Sequence, residues 1–245
     1  MKNLEIIYED NDIILCHKPA GVATQTKRLG QQDMESLLKN YRVKKGEPPY
    51  IGIVHRLDQP VEGVMVFAKN QKVAASLSKQ IKEKMIGKYY YAVSAYKPDK
   101  ESDVLEHYLV TDKKTNFTQV VEVNSEKDAK FAKLEYRVLQ STEEKTLFDI
   151  KLHTGRQHQI RVQMAHIGCP LMGDEKYGVK LQGFENTMSD ELIQQNSDNS
   201  YRKNRKPQEM LALCSYRLQF QHPMTKKQMD FSVLPKGKAF YDLYV

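Results

Sequence analysis

Segments with the two-residue periodicity of β-strands outnumber helical segments in this chain, and this imbalance limits the fold more than any other feature. Two such segments open the chain, at residues 4–8 and 12–18, with turn residues between them. The others span residues 88–96, 134–138, 148–152, 210–220 and 228–234. Residues 50–54 form an apolar core segment, and the uninterrupted apolar run at 64–68 has the pattern of a strand buried on both faces. Few follow the regular strand-helix-strand order of a parallel sheet. We therefore predict an α+β fold with a single mixed, largely antiparallel sheet and surrounding helices and loops.

Two segments have helical signals. Apolar residues recur every fourth position from Val73 to Met85, and Gly87 follows as a stop, which predicts an amphipathic helix. A second helix is predicted to begin at Thr154, because Thr154 and Gln157 have the spacing of a capping box, and to end near His166.

The polar stretches predict connections within one domain that spans residues 1–245. Residues 39–49 are basic and then rich in Gly and Pro, which indicates an exposed connection. Residues 97–130 are polar with short apolar pieces and predict a hairpin or another excursion outside the core. Residues 180–208 predict a long polar insertion.

The chain carries an excess of positive charge. Its 245 residues include 38 Lys and Arg against 31 Asp and Glu, giving a formal charge of +7. This balance favours a polyanionic partner such as nucleic acid, although a solvated charged surface explains it about equally well. Cys16, Cys169 and Cys214 form no CxxC pair, and no secretory signal or membrane-length apolar run is visible. We expect a cytoplasmic monomer without a membrane partner.

Several kinds of catalytic site lack their signature. His153, His158 and His166 cannot all share one helical face at spacings of five and eight, and no HExxH is present, so we expect no metal site. No GxGxxG or phosphate-binding loop supports nucleotide hydrolysis, and no GxSxG supports a serine nucleophile.

The remaining candidates are a carboxylate, an arginine and a tyrosine. Asp58, in VHRLDQPVEG, precedes Gln59 and Pro60 on a turn that can present a carboxylate rigidly, but a turn-capping aspartate explains it equally well. Arg161 can pair with that carboxylate, or form a surface salt bridge worth about 0.2–1 kcal/mol. The tyrosines at 89–91 suit a strand, and their sequence alone selects none of them.

Four motifs in this order resemble those of the RluA-type pseudouridine synthases, which isomerise uridine in structured RNA. They are HRLDQPVEG, KYYYA, LHTGRQHQIRVQMAHIGCPLMGDEKYG and LALCSYRLQFQHP. The opening IIYEDNDIILCHKPAGV also resembles the start of the family's catalytic domain, so the resemblance covers nearly the whole chain. It implies the pseudouridine synthase fold, a ribosomal or transfer RNA substrate, and no metal or organic cofactor.

The resemblance also implies residue roles. Asp58 corresponds to the catalytic aspartate, Tyr90 to the active-site tyrosine, and Arg161 to the arginine that pairs with the aspartate. The substrate-binding residues expected from the match are Arg56, Leu57 and Arg156. Arg56 matches the arginine that replaces the extruded base in the RNA stack.

The implied chemistry leaves two routes open. A carboxylate can add to the anomeric carbon or remove the 2′ proton. Basic residues at 39–45 and 202–206 are candidate RNA contacts, and mobile solvated charge explains them equally well. Many relatives carry a small N-terminal RNA-binding domain, which we expect this chain to lack.

One motif departs from the family pattern. Val61 and Glu62 stand where the family commonly has Thr and Ser. An inward Glu62 would bring a second negative charge towards Asp58, so we expect it to point to solvent or to meet a basic partner. This departure keeps a non-catalytic RNA-binding or RNA-folding protein open as an alternative. A third hypothesis is a glycoside or nucleoside hydrolase, whose mechanism needs a second catalytic carboxylate.

Overall fold

The computed structural model describes residues 4–26, 28, 30–178 and 210–243. The predicted insertion at 180–208 and the basic residues at 202–206 lie outside the described residues. The strands are β1 (Glu5–Glu9), β2 (Ile13–Lys18), β3 (Gly52–Ile53), β4 (Glu62–Ala68), β5 (Gly87–Ser94), β6 (Ser102–Asp112), β7 (Phe117–Val121), β8 (Lys130–Ser141), β9 (Thr146–Leu152), β10 (Leu213–Gln221) and β11 (Gln228–Ser232). The helices are α1 (Met34–Lys44), α2 (Gln71–Lys82) and α3 (Gln159–His166), with a 3-10 turn at Lys238–Phe240.

The described strands form one mixed sheet, which confirms the predicted fold class. Its order is β1-β2-β4-β10-β5-β9-β8-β6-β7, with β3 paired to β4 and β11 paired to β10. The β4–β10 pair is parallel and every other described pair is antiparallel. The late strand β10 is therefore inserted between β4 and β5, so the segments carrying Asp58 and Tyr90 flank it.

Side chains alternate between two packed sides of this sheet. On one side, Met65 and Tyr90 belong to a core cluster that includes residues of α1 and α3. On the other side, Val64 and Val66 pack with Val73 and Leu77 of α2. In the part of the chain that the structure describes, no helix is long and apolar enough to cross a lipid bilayer.

The prediction of an exposed connection at residues 39–49 is wrong for residues 39–44, which belong to α1. Asp33 caps this helix by accepting from the Ser36 N–H at 2.8 Å, and the Ser36 hydroxyl accepts from the Asp33 N–H at 3.2 Å. The periodicity was hard to see because one buried position is Arg42, whose charge pairs with Glu47 at 3.0 Å. Lys39 also pairs within the helix, so these cations are largely engaged by the protein itself.

Both predicted helices exist, with corrected ends. The first stops at Lys82, and Lys84 adopts a left-handed conformation (φ 57°), which leaves Met85 outside the helix and exposed. The second begins at Gln159 and not at Thr154, because the Thr154 hydroxyl bonds the Gln159 side chain at 2.8 Å instead of capping a helix. Its predicted end at His166 is confirmed, as is a hairpin within residues 97–130, formed by β6 and β7.

Candidate active site

The Asp58 loop is pinned to the turn that follows β2. The ammonium of Lys18, which is buried, donates to the carbonyl oxygens of Val22 at 2.6 Å and Gln59 at 3.1 Å. The Thr24 hydroxyl donates to the Leu57 carbonyl at 2.9 Å and accepts from the Leu57 N–H at 3.2 Å. Because the residues on both sides of Asp58 are bonded in this way, its backbone position is fixed before any substrate binds.

The strand after the loop approaches β10 closely. Gly63 has φ +131°, and a side-chain carbon there would lie 2.3 Å from the Ser215 carbonyl oxygen. Only glycine fits this close parallel pairing. Ser215 in turn hydrogen-bonds the Tyr90 hydroxyl on the neighbouring strand β5. The final glycine of the VHRLDQPVEG motif thus helps to bring the Asp58 loop beside Tyr90.

Arg161 contacts two carboxylates. Its Nε and Nη2 atoms donate to the two oxygens of Asp174 at 2.8 and 2.7 Å, and the Asp174 side chain is fully buried. Its remaining nitrogen, Nη1, lies 3.8 Å from Asp58 Oδ2. The ion pair between Arg161 and Asp58 is therefore present, but Asp174 is the closer partner and holds the guanidinium in place.

A second nitrogen faces the same oxygen of Asp58. The Nε2 atom of His158 also lies 3.8 Å from Asp58 Oδ2, and its Nδ1 atom is 2.7 Å from the Tyr177 hydroxyl. Tyr177 lies under Arg161, with the guanidinium carbon 5.0 Å from its ring centroid. Asp58 keeps 34% of its side chain exposed, whereas His158 and Arg161 are each 8% exposed. The site thus presents one accessible carboxylate on a buried, hydrogen-bonded support.

Burial keeps the ring groups of this region neutral. Burial raises the pKa of Tyr90, the charge of Asp58 adds to this effect, and the bond with Ser215 opposes it, so the phenol stays protonated at neutral pH. Burial, with the nearby Lys88 charge, lowers the pKa of His55 to about 4. The neutral His55 ring accepts the Val66 N–H at 3.1 Å, which gives the motif histidine a structural role.

The three predicted substrate-binding residues have different surroundings. Arg56 and Arg156 are exposed, and Arg156 donates to the Phe131 carbonyl at 2.8 Å. Leu57 is only 6% exposed and packs in the core cluster that contains Tyr90, so its side chain supports the loop more than it faces RNA. A cavity of about 550 Å³ opens beside Arg161, with Gln59 and Pro60 in its wall. This volume is within the range of small-ligand sites.

Glu62 is buried, which corrects the expectation that it points to solvent. Its Oε1 accepts the N–H groups of Lys236 and Gly237 at 3.0 and 2.9 Å, and its Oε2 lies 3.6 Å from His17 Nε2. Both His17 and Glu62 lie on the α2 side of the sheet, away from the Asp58 loop. Of the two departures from the family pattern, Glu62 therefore points away from the Asp58 loop, whereas Val61 packs in the core cluster with Leu57 and Tyr90 and donates its N–H to the Asp58 carbonyl at 3.0 Å.

We expect Glu62→Gln to stabilise the protein at high pH. Burial raises the pKa of Glu62, so its contribution to stability is present below 4.5 and is lost as pH rises through the raised folded value. A glutamine keeps the acceptor oxygen and gives the unbonded His17 Nε2 a donor. Urea unfolding should show a gain of about 1 kcal/mol at pH 8 that shrinks towards pH 4. The exposed Glu144→Gln is the control, and a loss of stability at pH 8 would contradict the assignment.

One group of possible metal ligands exists among the described residues, at Asp10, Asp12 and His222. The Nδ1 atom of His222 accepts the N–H groups of two following residues, so its proton is on Nε2, which donates to Asp10 Oδ2 at 2.9 Å. Asp10 Oδ1 accepts the N–H groups of Asp12 and Ile13. These bonds give the group a structural role in joining two turns.

Four residues that position the site were not identified from the sequence: Lys18, His158, Asp174 and Tyr177. The last three lie inside the long motif LHTGRQHQIRVQMAHIGCPLMGDEKYG, which was the available signal. Lys18 lies at the end of β2, where an isolated lysine resembles many surface lysines. Two of its carbonyl partners, Pro19 and Val22, lie in the turn that follows it, but the third, Gln59, is 41 residues away, and that contact could not be predicted from the sequence around Lys18.

Comparison with known proteins identifies the family of this chain. Residues 12–166 match the RNA pseudouridylate synthase family, and the chain belongs to that family. Ribosomal large subunit pseudouridine synthase C of Rickettsia conorii is 34% identical over 176 residues, which cover 71% of this chain and 56% of that protein. An uncharacterized RNA pseudouridine synthase of Helicobacter pylori is 29% identical, covering 94% of this chain and 66% of its own length. The chain thus spans about half the length of the Rickettsia relative.

Solved structures share the fold. Human RNA pseudouridylate synthase domain containing 4 superposes with a TM-score of 0.71 at 22% identity, covering 95% of this chain and 89% of its own. Human RNA pseudouridylate synthase domain containing 1 superposes with a TM-score of 0.69 at 20% identity, covering 96% of this chain and 84% of its own. The RluA-type resemblance and the predicted fold are therefore confirmed.

Proposed function

We propose that this protein converts specific uridines of RNA to pseudouridine, with Asp58 as the catalytic residue. The observation that supports this most directly is the accessible Asp58 carboxylate, whose Oδ2 faces Arg161 Nη1 and His158 Nε2 at 3.8 Å each. In the reaction the C1′–N1 bond breaks, the uracil turns, and a C1′–C5 bond forms, while the C5 proton is lost and N1 gains one. Asp58 either adds to C1′ or removes the 2′ proton.

The neighbouring residues have separate roles in this proposal. Tyr90 is a protonated phenol in the core beside the carboxylate, suited to stack on the uracil. Arg161 fixes the direction of the carboxylate. The exposed Arg56 fills the position that the extruded uridine leaves, which offsets an unstacking cost of a few kcal/mol. The exposed Arg156 contacts the phosphate backbone.

The alternatives are less consistent with this geometry. A hydrolase needs a second available carboxylate, and Asp174, which shares Arg161 with Asp58, is not available because it is fully buried and bonded to that arginine. The non-catalytic alternative was motivated by Val61 and Glu62. The Glu62 carboxylate accepts the N–H groups of Lys236 and Gly237 away from the site, and Val61 still donates its N–H to the Asp58 carbonyl at 3.0 Å. We propose ribosomal RNA as the substrate because the Rickettsia relative is named for the large ribosomal subunit. A cytoplasmic monomer remains our expectation.

The test uses unmodified transcripts of ribosomal and transfer RNA, incubated with the purified protein. Pseudouridines are mapped by carbodiimide modification and reverse transcription. We expect discrete new sites in large-subunit ribosomal RNA, whereas sites in transfer RNA alone would change the substrate class. Release of free uracil would indicate a hydrolase. Salt-sensitive RNA binding without any new site would favour the non-catalytic protein.

A further inference from the structure

We propose that His158, oriented by Tyr177, is a positioning residue for Asp58. Its Nε2–H faces one oxygen of the carboxylate, and the other oxygen stays free to face the uridine. This inference rests on the proposed function, because it assigns Asp58 the reacting carboxylate. It rests on the geometry of three side chains, which come from the Asp58 loop, the start of α3 and the segment after it.

The backbone of His158 is unusual for its position. His158 is the N-cap of α3 with φ 52° and ψ 22°, in the left-handed region, and its side chain makes no capping bond. Ser, Thr, Asp or Asn would cap the helix better. A non-glycine residue in this region costs energy and is found preferentially at functional sites. Here the conformation turns the imidazole from the helix end towards Asp58.

Tyr177 determines which ring nitrogen carries the proton. Its hydroxyl oxygen accepts the Thr118 N–H at 3.1 Å and lies 2.7 Å from His158 Nδ1, so the hydroxyl can donate its proton to that nitrogen. With Nδ1 as an acceptor, a neutral imidazole carries its proton on Nε2. That N–H faces Asp58 Oδ2 at 3.8 Å.

The charged groups around the ring favour this neutral form. Burial lowers the pKa of His158. Arg161 and Lys176 lower it further, and Asp58 and Asp174 oppose them. Burial also raises the pKa of Tyr177, so the phenol keeps the proton that it donates. Oδ2 of Asp58 therefore has a charged neighbour, Arg161, and a neutral neighbour, His158, each at 3.8 Å.

The consequence is a fixed direction for the reacting oxygen. A misplacement of about 1 Å in an active site can cost about 100-fold in rate. At 3.8 Å the two nitrogens make electrostatic contacts with Oδ2 and no hydrogen bonds, and two such contacts favour one orientation of the carboxylate more than a single one does. We therefore expect loss of the His158 donor to lower kcat and to leave the KM for RNA almost unchanged.

Two substitutions separate positioning from backbone structure. His158→Gln places an amide N–H near the position of Nε2, whereas His158→Asn is too short to do so. Asparagine, however, tolerates the left-handed backbone better than glutamine does. Positioning therefore predicts that kcat falls about 100-fold for Asn and less than about 10-fold for Gln, while a structural role predicts the opposite order. Tyr177→Phe should lower kcat by about 10-fold.

The control is His166→Asn, at the exposed last residue of the same helix. It should leave kcat unchanged. Equal kcat values for wild type and His158→Asn, or a higher value for Asn than for Gln, would overturn the proposal.

A second measurement is independent of turnover. Side-chain ¹⁵N NMR, with the His158 signals assigned by their loss in His158→Gln, reports the protonation of each ring nitrogen. We expect the Nε2–H form at pH 7 and a mixture of tautomers in Tyr177→Phe. An Nδ1–H form or an imidazolium would overturn the proposal. The Nε2–H form in a wild type that makes no pseudouridine would instead count against the proposed function.

Discussion

Asp58→Asn is expected to lower pseudouridine formation by about 10⁴-fold or more, with little change in stability. The asparagine has the same shape, but it is neither a useful nucleophile nor a base at the anomeric carbon or the 2′ position. Asp58 is 34% exposed, and its neighbours, the charged Arg161 and the neutral His158, are each 3.8 Å away. We therefore expect the unfolding free energy to change by less than about 1 kcal/mol. Single-turnover assays on the mapped transcript, with thermal unfolding, measure both quantities.

Charge must be controlled in this comparison, because removing a carboxylate also strengthens binding to phosphate. Asp128→Asn makes the same change in net charge at an exposed position and should retain wild-type turnover. Asp58→Ala guards against slow conversion of the asparagine back to aspartate, which mass spectrometry also detects. Turnover above about 1% of wild type in both Asp58 variants would contradict the catalytic assignment.

The sequence predicted the sheet well and the helices less well, for a physical reason. A strand can be recognised from a few residues, because its side chains alternate between the two faces of the sheet. In β5, Tyr90 and Ala92 face one core cluster and Tyr91 and Val93 face another. Residues 159–164 of α3 are all buried, so this helix has no exposed polar face to give it a period. Helix α1 buries Arg42 at a position where a periodic pattern expects an apolar residue.

For the candidate site, too, the sequence predicted some features and not others. Asp58, Tyr90 and Arg161 could be selected because each lies in a motif with family-specific spacing. The contacts that hold them could not be selected from spacing, since Lys18 bonds the Gln59 carbonyl and Arg161 bonds Asp174 through the tertiary fold. The sequence suggested Asp58 as the partner of Arg161. The structure adds a closer carboxylate, because a buried guanidinium needs a buried counter-charge.

Substitution of Asp174, the buried carboxylate that pairs with Arg161, is expected to have the second large effect. Asp174→Asn should lower the unfolding free energy by about 3–5 kcal/mol, because it leaves the buried guanidinium of Arg161 without a charged partner. For a domain of this size the loss corresponds to a fall in Tm of about 10 °C. Activity should fall with it, since Arg161 would no longer be fixed opposite Asp58. Urea unfolding and single-turnover assays at a temperature below the lowered Tm measure the two effects separately.

Burial is the physical cause of this cost, and the chain contains a matched pair that tests it. Arg217 also donates from its Nε and Nη2 atoms to both oxygens of an aspartate, Asp230, but these side chains are 39% and 41% exposed. Asp230→Asn should therefore cost less than about 1 kcal/mol. Equal losses at Asp174 and Asp230 would show that geometry and not burial determines the cost.

The double variant Arg161→Met with Asp174→Leu then separates stability from chemistry. Replacing a buried ion pair by apolar residues of similar volume is often neutral or stabilising. Because Asp174 Oδ1 also accepts the N–H groups of Lys176 and Tyr177, which a leucine leaves unbonded, this variant should recover only part of the stability that Asp174→Asn loses. It should stay inactive, because nothing then faces Asp58 Oδ2 from the position of Arg161 Nη1. A stable double variant with wild-type turnover would mean that the buried pair serves the fold and that Asp58 acts without it.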